Sequence, residues 1–402
     1  MNQVSKTKQT AHPTYERPLV GLRVVDMSQG VAGPYCAMLL AQAGADVVKI
    51  EPPNGDWARV LGDIHGNHTA FSIAANLGKR SIVVDLKHEK SRSVVDPMIA
   101  GADVFIEGFR PGVTERLGYG YDRLKAMNPK LIYVSVSGFG QTGPMRERPA
   151  MDPMLQAFTG FMSENKGADG IPHRTPVIYF DMSTGLYATQ AVMGSLFARA
   201  HEPEGRRINV SLMEAAASVQ AVRLLSATVD GPFTSTVAPS GTFATADGHI
   251  QIIVVRDAHF TSFCKAMGLP DIAADARFKT AAGRRENMAE LNEVIRALFA
   301  TNTTAHWQDR LSEAGLQNEA VQSYPEFARH PQSEAVAAIA WLRQPGSDAA
   351  WPVPNVPGLP RYEAGSPYAV SPALGQHTRE LLGEYGLETD AIDELFAEGV
   401  VG

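Results

Sequence analysis

The chain is poor in cysteine: two in 402 residues, Cys36 and Cys264, each inside an apolar stretch. Two separated thiols make no disulfide framework, and the usage fits a reducing compartment with buried thiols. Long apolar runs are also lacking. None reaches the roughly 20 residues a membrane-spanning helix needs. Residues 1–17 are polar and mixed in charge, without the apolar centre of a signal peptide. They read as a loose tail, and the protein reads as cytoplasmic with no membrane partner. Cations are not in excess either: 36 Lys and Arg stand against 43 Asp and Glu, for a net charge of −7. That balance argues against nucleic acid or an anionic membrane as the main partner, since both require clustered positive charge.

Several catalytic signatures are missing. There is no G-x-x-x-x-G-K-[ST], which argues against nucleoside triphosphate hydrolysis, and no G-x-S-x-G elbow for a serine nucleophile. The eleven histidines are mostly scattered, and the near pair His65 and His68 has no further ligands beside it, so no metal site is expected. The stretch from Leu22 to Glu51 imitates half of a dinucleotide fold, with Glu51 where a ribose-binding acid would sit. Its turn Gly30-Val-Ala-Gly-Pro34 lacks the G-x-G-x-x-G spacing, which argues against nicotinamide dinucleotides.

What the chain does have is alternation. Short apolar runs at Leu22–Met27, Ala45–Glu51, Ser81–Leu86, Asp103–Glu107 and Leu131–Val136 read as strands. Helix-like stretches at Tyr35–Ala43, Glu89–Ile99 and Thr114–Met127 separate them. That order means βαβ units and a mostly parallel, Rossmann-like sheet. Ile208–Leu212 reads as a further short strand, followed by one long helix over Met213–Val229. Around Asp247-Gly248 two alternating runs predict a hairpin over Gly241–Val255, with helices His259–Met267, Arg284–Ala300 and Thr304–Ala314 beyond it. The fold class is therefore α/β. A large domain over 18–229 is followed by a smaller α+β domain over 230–325. The Pro-rich stretch Trp351–Pro360 reads as an extended connector within 326–402, and Leu374–Leu395 as helical.

Three groups of residues invite a functional reading. Asp181 lies between the apolar run Pro176–Phe180, read as a strand, and the helix-like run Met182–Phe197. A carboxylate there either caps the helix or faces a cleft. Asp152, ahead of another helix, poses the same alternatives. The cations Arg59, Lys79, Arg80, Lys87, Arg110 and Arg116 fall at the ends of successive βα units. That is the rim where open α/β sheets bind ligands, although each alone fits a solvated surface position.

Taken in order, Gly21–Asp26, Val31–Pro34, Gly44–Pro52, Lys79–Lys87, Ala102–Gly112, Arg116–Gly118, Ser135–Pro144, Asp275–Phe278 and Leu374–Thr378 resemble family III CoA transferases. That group includes formyl-CoA and carnitine CoA transferases and α-methylacyl-CoA racemase. The resemblance spans about Pro18 to Leu395. It implies that Asp181 is the nucleophile. It places Gln29, Gly30, Val31, Ala32, Val84, Lys87, Gly108, Phe109 and Arg116 at a coenzyme A site, with Lys87 and Arg116 on its phosphates. Gly108 and Pro52 stand where formyl-CoA transferase has Asn and Arg, so those two contacts differ. Coenzyme A is then a substrate, with no tightly bound cofactor. The resemblance further implies an interlocked homodimer.

The implied chemistry is attack by Asp181 on an acyl-CoA, giving a mixed anhydride and then an aspartyl-CoA thioester. Backbone N–H groups at the helix start are expected to hold the oxyanions. In the racemase branch a His precedes the acid matching Asp152. Met151 stands here, which favours the transferase over racemization, while a non-catalytic acyl-CoA-binding protein stays as a further alternative. Arg148, His173 and Arg174 offer charge for a second carboxylate, so succinyl-CoA and a small dicarboxylic acid are the expected pair.

Overall fold

The structure is a computed structural model that describes residues 17–167, 169–231 and 237–402. Apart from Arg17, the expected tail lies outside the described residues. These residues divide into two compact units. One runs through Leu225 and resumes over Pro331–Gly402, and the other is Ser226–His330.

The larger unit is built on a parallel sheet that has six strands among the described residues: β1 (Arg23–Asp26), β2 (Asp46–Glu51), β3 (Arg80–Val83), β4 (Val104–Glu107), β5 (Ile132–Ser137) and β6 (Arg207–Ser211). Their spatial order is β3-β2-β1-β4-β5-β6. β1 is paired on one side with β2, Val24 opposite Val47, and on the other with β4, Val24 opposite Val104. β4 and β5 are buried along their whole length, as strands covered on both faces by helices must be. One apolar layer packs the sheet against the helices Ala32–Gln42 and Tyr179–Ala198. The other packs it against Ser91–Ala100, Thr378–Glu384 and Thr389–Ala397. Gly185 allows the two helices of the first layer to approach closely, since a β carbon there would lie 2.8 Å from the Ala32 carbonyl oxygen.

The chain end seals one edge of this sheet. The Asp85 N–H donates to the Val400 carbonyl, and Thr378 Oγ1 donates to the Gly402 carbonyl at 2.6 Å. The second unit holds the antiparallel sheet β7 (Ser240–Ala244), β8 (His249–Ile253) and β9 (Gln317–Ala320), with the expected hairpin at Asp247-Gly248. Its helices pack the Phe243, Ile250, Phe263, Phe299 and Trp307 core.

Several expectations need correction. The helix expected over Thr114–Met127 is two, Val113–Leu117 and Tyr121–Met127, because Gly118 takes a left-handed conformation and ends the first. The long helix after β6 breaks at Gln220, and the one expected from Arg284 breaks at Asn287. Part of the Pro-rich connector is a strand. β11 (Ala350–Pro354) pairs antiparallel with β10 (Ile339–Arg343). Pro352 and Pro354 are two apart, so both turn their missing N–H to the same, unpartnered side of the ribbon.

Candidate active site

The sheet order reverses between β1 and β4, and a crevice opens there beyond the carboxyl ends of the strands. A cavity of about 280 Å³ fills it. Its walls are the β1 loop (Gln29, Val31) and the helix start that follows it (Ala32, Gly33), the β4 loop (Gly108, Phe109, Arg110), the end of β5 (Val136, Ser137, Gly138), and Leu212 after β6. Trp57, Ala150, Met151 and Asp181 complete it.

Asp181 is half-buried, in the first turn of the helix Tyr179–Ala198. The expected strand over Pro176–Phe180 is absent, and Phe180 belongs to the helix. Ile178 occupies the cap position and makes no side-chain cap. The cap comes instead from Asp152, on another helix. Its Oδ2 accepts the N–H groups of Phe180 at 2.6 Å and Asp181 at 3.1 Å, while Oδ1 accepts Gln156 Nε2 at 2.7 Å. The two open alternatives thus divide: Asp152 caps, and Asp181 faces the cavity. Those two N–H groups are committed to Asp152, and that of Met182 to the Ile178 carbonyl, so none of the three serves an oxyanion as expected.

Burial lifts the Asp181 carboxyl from its ordinary 3.8 to about 7, with the charge of Asp152 as the second cause. Asp152→Asn keeps an acceptor for the two N–H groups but removes that charge. The Asp181 pKa should then fall. The acid limb of kcat/KM against pH, which reports the free enzyme, should move to lower pH than in the parent. An unmoved limb would refute the coupling.

The β1 loop has no regular structure, but it and the helix start after it are held from below by buried charge. Asp26 accepts the Ser28 N–H at 3.0 Å, Lys49 Nζ donates to the Ser28 carbonyl at 2.9 Å, and Lys79 Nζ donates to the Pro34 carbonyl at 2.7 Å. Lys79 also pairs with Asp26 at 2.7 Å and Lys49 with Asp56 at 2.9 Å. Arg59 forks onto Glu51, 2.6 Å to each oxygen. Lys79 and Arg59 are therefore structural cations, which corrects their assignment to a ligand-binding rim. Arg80 joins them, paired with Asp46, Glu380 and Glu384.

Of the expected coenzyme A residues, Gln29, Val31, Ala32, Gly108 and Phe109 line the cavity. Gly30 lies within the same loop, its N–H held by both oxygens of Asp56 at 2.9 and 3.1 Å. Val84 does not reach the cavity; it is fully buried against the chain end, bridged to Val401. Lys87 and Arg116 are exposed and outside the lining. Arg148 and His173 are also exposed and outside it, and His173 lies 3.6 Å from Asp169. The cation that does reach the cavity is Arg110. Trp57 is the main lining residue that sequence reasoning passed over, for it sits in a polar loop without periodicity. The thiols play no part: burial pushes Cys36 up to about 12 and Cys264 to about 11.

A half-buried, raised carboxylate in a crevice at the switch point of a doubly wound sheet marks an α/β enzyme with its ligand site at the strand ends. The CoA-transferase family III model matches residues 19–378. The chain belongs to this family and is a CoA transferase. It is 31% identical over 402 residues to a mouse (Mus musculus) succinyl-CoA:glutarate CoA-transferase, covering 96% of this chain and 90% of that one. With an acetyl-CoA:oxalate CoA-transferase of Acetobacter aceti it shares 34% identity, covering 79% and 84% of the two chains. A crystal structure of a CAIB/BAIF family protein from Brucella suis superposes with a TM-score of 0.81 at 30% identity, covering 92% of this chain and all of that one. Among the described residues no helix is long and apolar enough to cross a membrane.

Proposed function

We propose that the protein moves coenzyme A from succinyl-CoA to a small carboxylic acid, in the first instance a dicarboxylate, with Asp181 as the covalent carrier. The observation that carries this reading is the half-buried Asp181 carboxylate on the cavity wall, raised to about 7. A carboxylate of raised basicity is a stronger nucleophile toward a thioester, and it is ionised in about half the molecules near neutral pH. Attack on the acyl carbonyl forms the anhydride and releases the thiolate. The thiolate returns to the aspartyl carbonyl, frees the first acid and leaves the aspartyl-CoA thioester. The second acid runs these steps backward.

Oxyanion donors come, on this reading, from Ala32 and Gly33. Both line the cavity in the first turn of the helix Ala32–Gln42, where N–H groups have no intrahelical acceptor. Coenzyme A lies along the β1 and β4 loops, with Gln29, Gly30, Val31, Ala32, Gly108 and Phe109 beside its thiol end. Lys87 and Arg116 meet its phosphates farther out. Arg110, not Arg148 or His173, is the cation placed to meet a second carboxylate, and named relatives acting on glutarate and oxalate support that substrate class. The direct test is a panel of acyl-CoA donors against small acids with products followed by mass. Transfer to no acid would overturn the reading.

Met151 replaces the proton carrier a racemase needs, and its thioether holds no exchangeable proton. A 2-methylacyl-CoA incubated with the enzyme in deuterated water should keep its α-hydrogen; uptake at catalytic rates would make the protein a racemase.

The interlocked homodimer belongs to the same proposal. Val222, Leu225 and Val229 form a stripe on the helix Ala221–Val229 with 84%, 67% and 81% of their surfaces exposed, and Phe197 is 77% exposed. An apolar stripe this open calls for a covering surface, and a second copy supplies it. Sedimentation at nanomolar concentration should still find a dimer, since interlinked chains separate only by unfolding. A folded monomer on dilution would contradict it.

A further inference from the structure

Trp57 has no role in the chemistry above, yet its indole forms one wall of the cavity. It opens the short helical turn Trp57–Val60, which Asp56 caps by accepting the Ala58 N–H at 2.9 Å. The same carboxylate holds the Gly30 N–H. One side chain therefore fixes both the turn that carries Trp57 and the loop beneath it. Gly30 has a φ of 83°, and a β carbon there would run into the indole ring. The ring thus lies directly on bare backbone, and any larger residue at position 30 would displace it. The other ring on the cavity, Phe109, belongs to the β4 loop assigned to coenzyme A. Met151 is an unbranched, half-exposed thioether that changes shape readily, and Ala150 and Gly138 offer little bulk. Against these three residues the rigid indole, with only two torsions, is the wall that does not give.

We infer that Trp57 is the size-limiting wall of the acyl site and that Asp56 positions it, so that the enzyme accepts small acyl groups and rejects bulky ones. The inference rests on the transferase reading, because the acyl group and the thiol end of coenzyme A must share the cavity of roughly 280 Å³ that Asp181 and the indole both line.

The test compares acetate and benzoate as acceptors from one donor, in the parent, Trp57→Ala, Trp57→Phe and Asp56→Asn. The ratio of kcat/KM, benzoate over acetate, should rise by about tenfold or more in Trp57→Ala, the scale on which an apolar wall discriminates. It should rise less in Trp57→Phe, which keeps an aromatic on Gly30 and guards against a folding defect in the alanine variant. Asp56→Asn should move the ratio in the same direction. A lowered melting temperature with an unmoved ratio would make Asp56 merely structural. An unchanged ratio in both Trp57 variants overturns the inference while transfer itself stands. Calorimetric binding of acetyl-CoA and benzoyl-CoA separates the two readings. If no acid of the panel accepts coenzyme A but Trp57→Ala still gains affinity for benzoyl-CoA over acetyl-CoA, transfer falls and the size limit survives. If the parent binds neither thioester, both fall.

Discussion

Asp181→Asn should lower turnover by roughly three to six orders of magnitude, the loss typical of removing a covalent nucleophile. The amide keeps the size of the side chain, and the helix start is capped by Asp152 rather than by residue 181, so the fold should survive. Parent enzyme held with acyl-CoA alone should yield to hydroxylamine or borohydride at one side chain, which peptide mass mapping would place on the segment containing Asp181. Near-normal turnover in the variant, or a label on Asp152, would refute the assignment. The same variant should gain stability with a distinctive pH dependence. In the unfolded chain Asp181 ionises near 3.8, while in the folded protein it holds its proton to about 7. Its favourable contribution is full below the lower value and is lost as pH rises through the upper one. Asparagine has no proton to lose. The variant's advantage should therefore be absent below about pH 4, grow by at most about 1.4 kcal/mol per pH unit, and level off above about pH 7.

Lys49→Met should be among the most destabilising single changes in the larger unit. Lys49 is fully buried at 2.9 Å from Asp56 and 3.8 Å from Asp26, and it donates to the Ser28 carbonyl. Burial alone would raise the Asp26 carboxyl, and Lys79 and Lys49 together outweigh it and hold the group below its ordinary range. Removing one lysine leaves carboxylate charge in the core without its counter-charge, at a cost of about 3–5 kcal/mol. Urea unfolding would measure it. A loss below about 1 kcal/mol would mean that water or rearrangement compensates the site.

The parallel sheet was legible because its strands are continuous apolar runs, a pattern that buried parallel strands share with little else. Asp181 was legible as a carboxylate at a helix start, and the β1 and β4 loops as the ends of their strands. Other features had no local signature. Lys79 and Arg59 look like rim cations in sequence, and only the folded sheet brings Asp26 and Glu51 beside them. Asp152 caps a helix that begins 27 residues later, a pairing no window of sequence contains. The β10–β11 ribbon was hidden because prolines ordinarily argue against a strand, and alternation alone makes them harmless there. Trp57 was missed for a similar reason, since what defines it is the bare backbone of Gly30 beneath it.

The way the chain end seals the sheet edge bears on biosynthesis. Val83 and Asp85 meet partners made more than 300 residues later, and the Ser226–His330 unit is synthesised in between. On the ribosome that unit can finish as a contiguous piece while the larger one still lacks its last 72 residues, Pro331–Gly402. Throughout that interval β3 is an open edge, the kind of surface on which nascent chains aggregate. Heterologous production should therefore depend on chaperone supply and temperature more than the ordinary composition of the chain suggests.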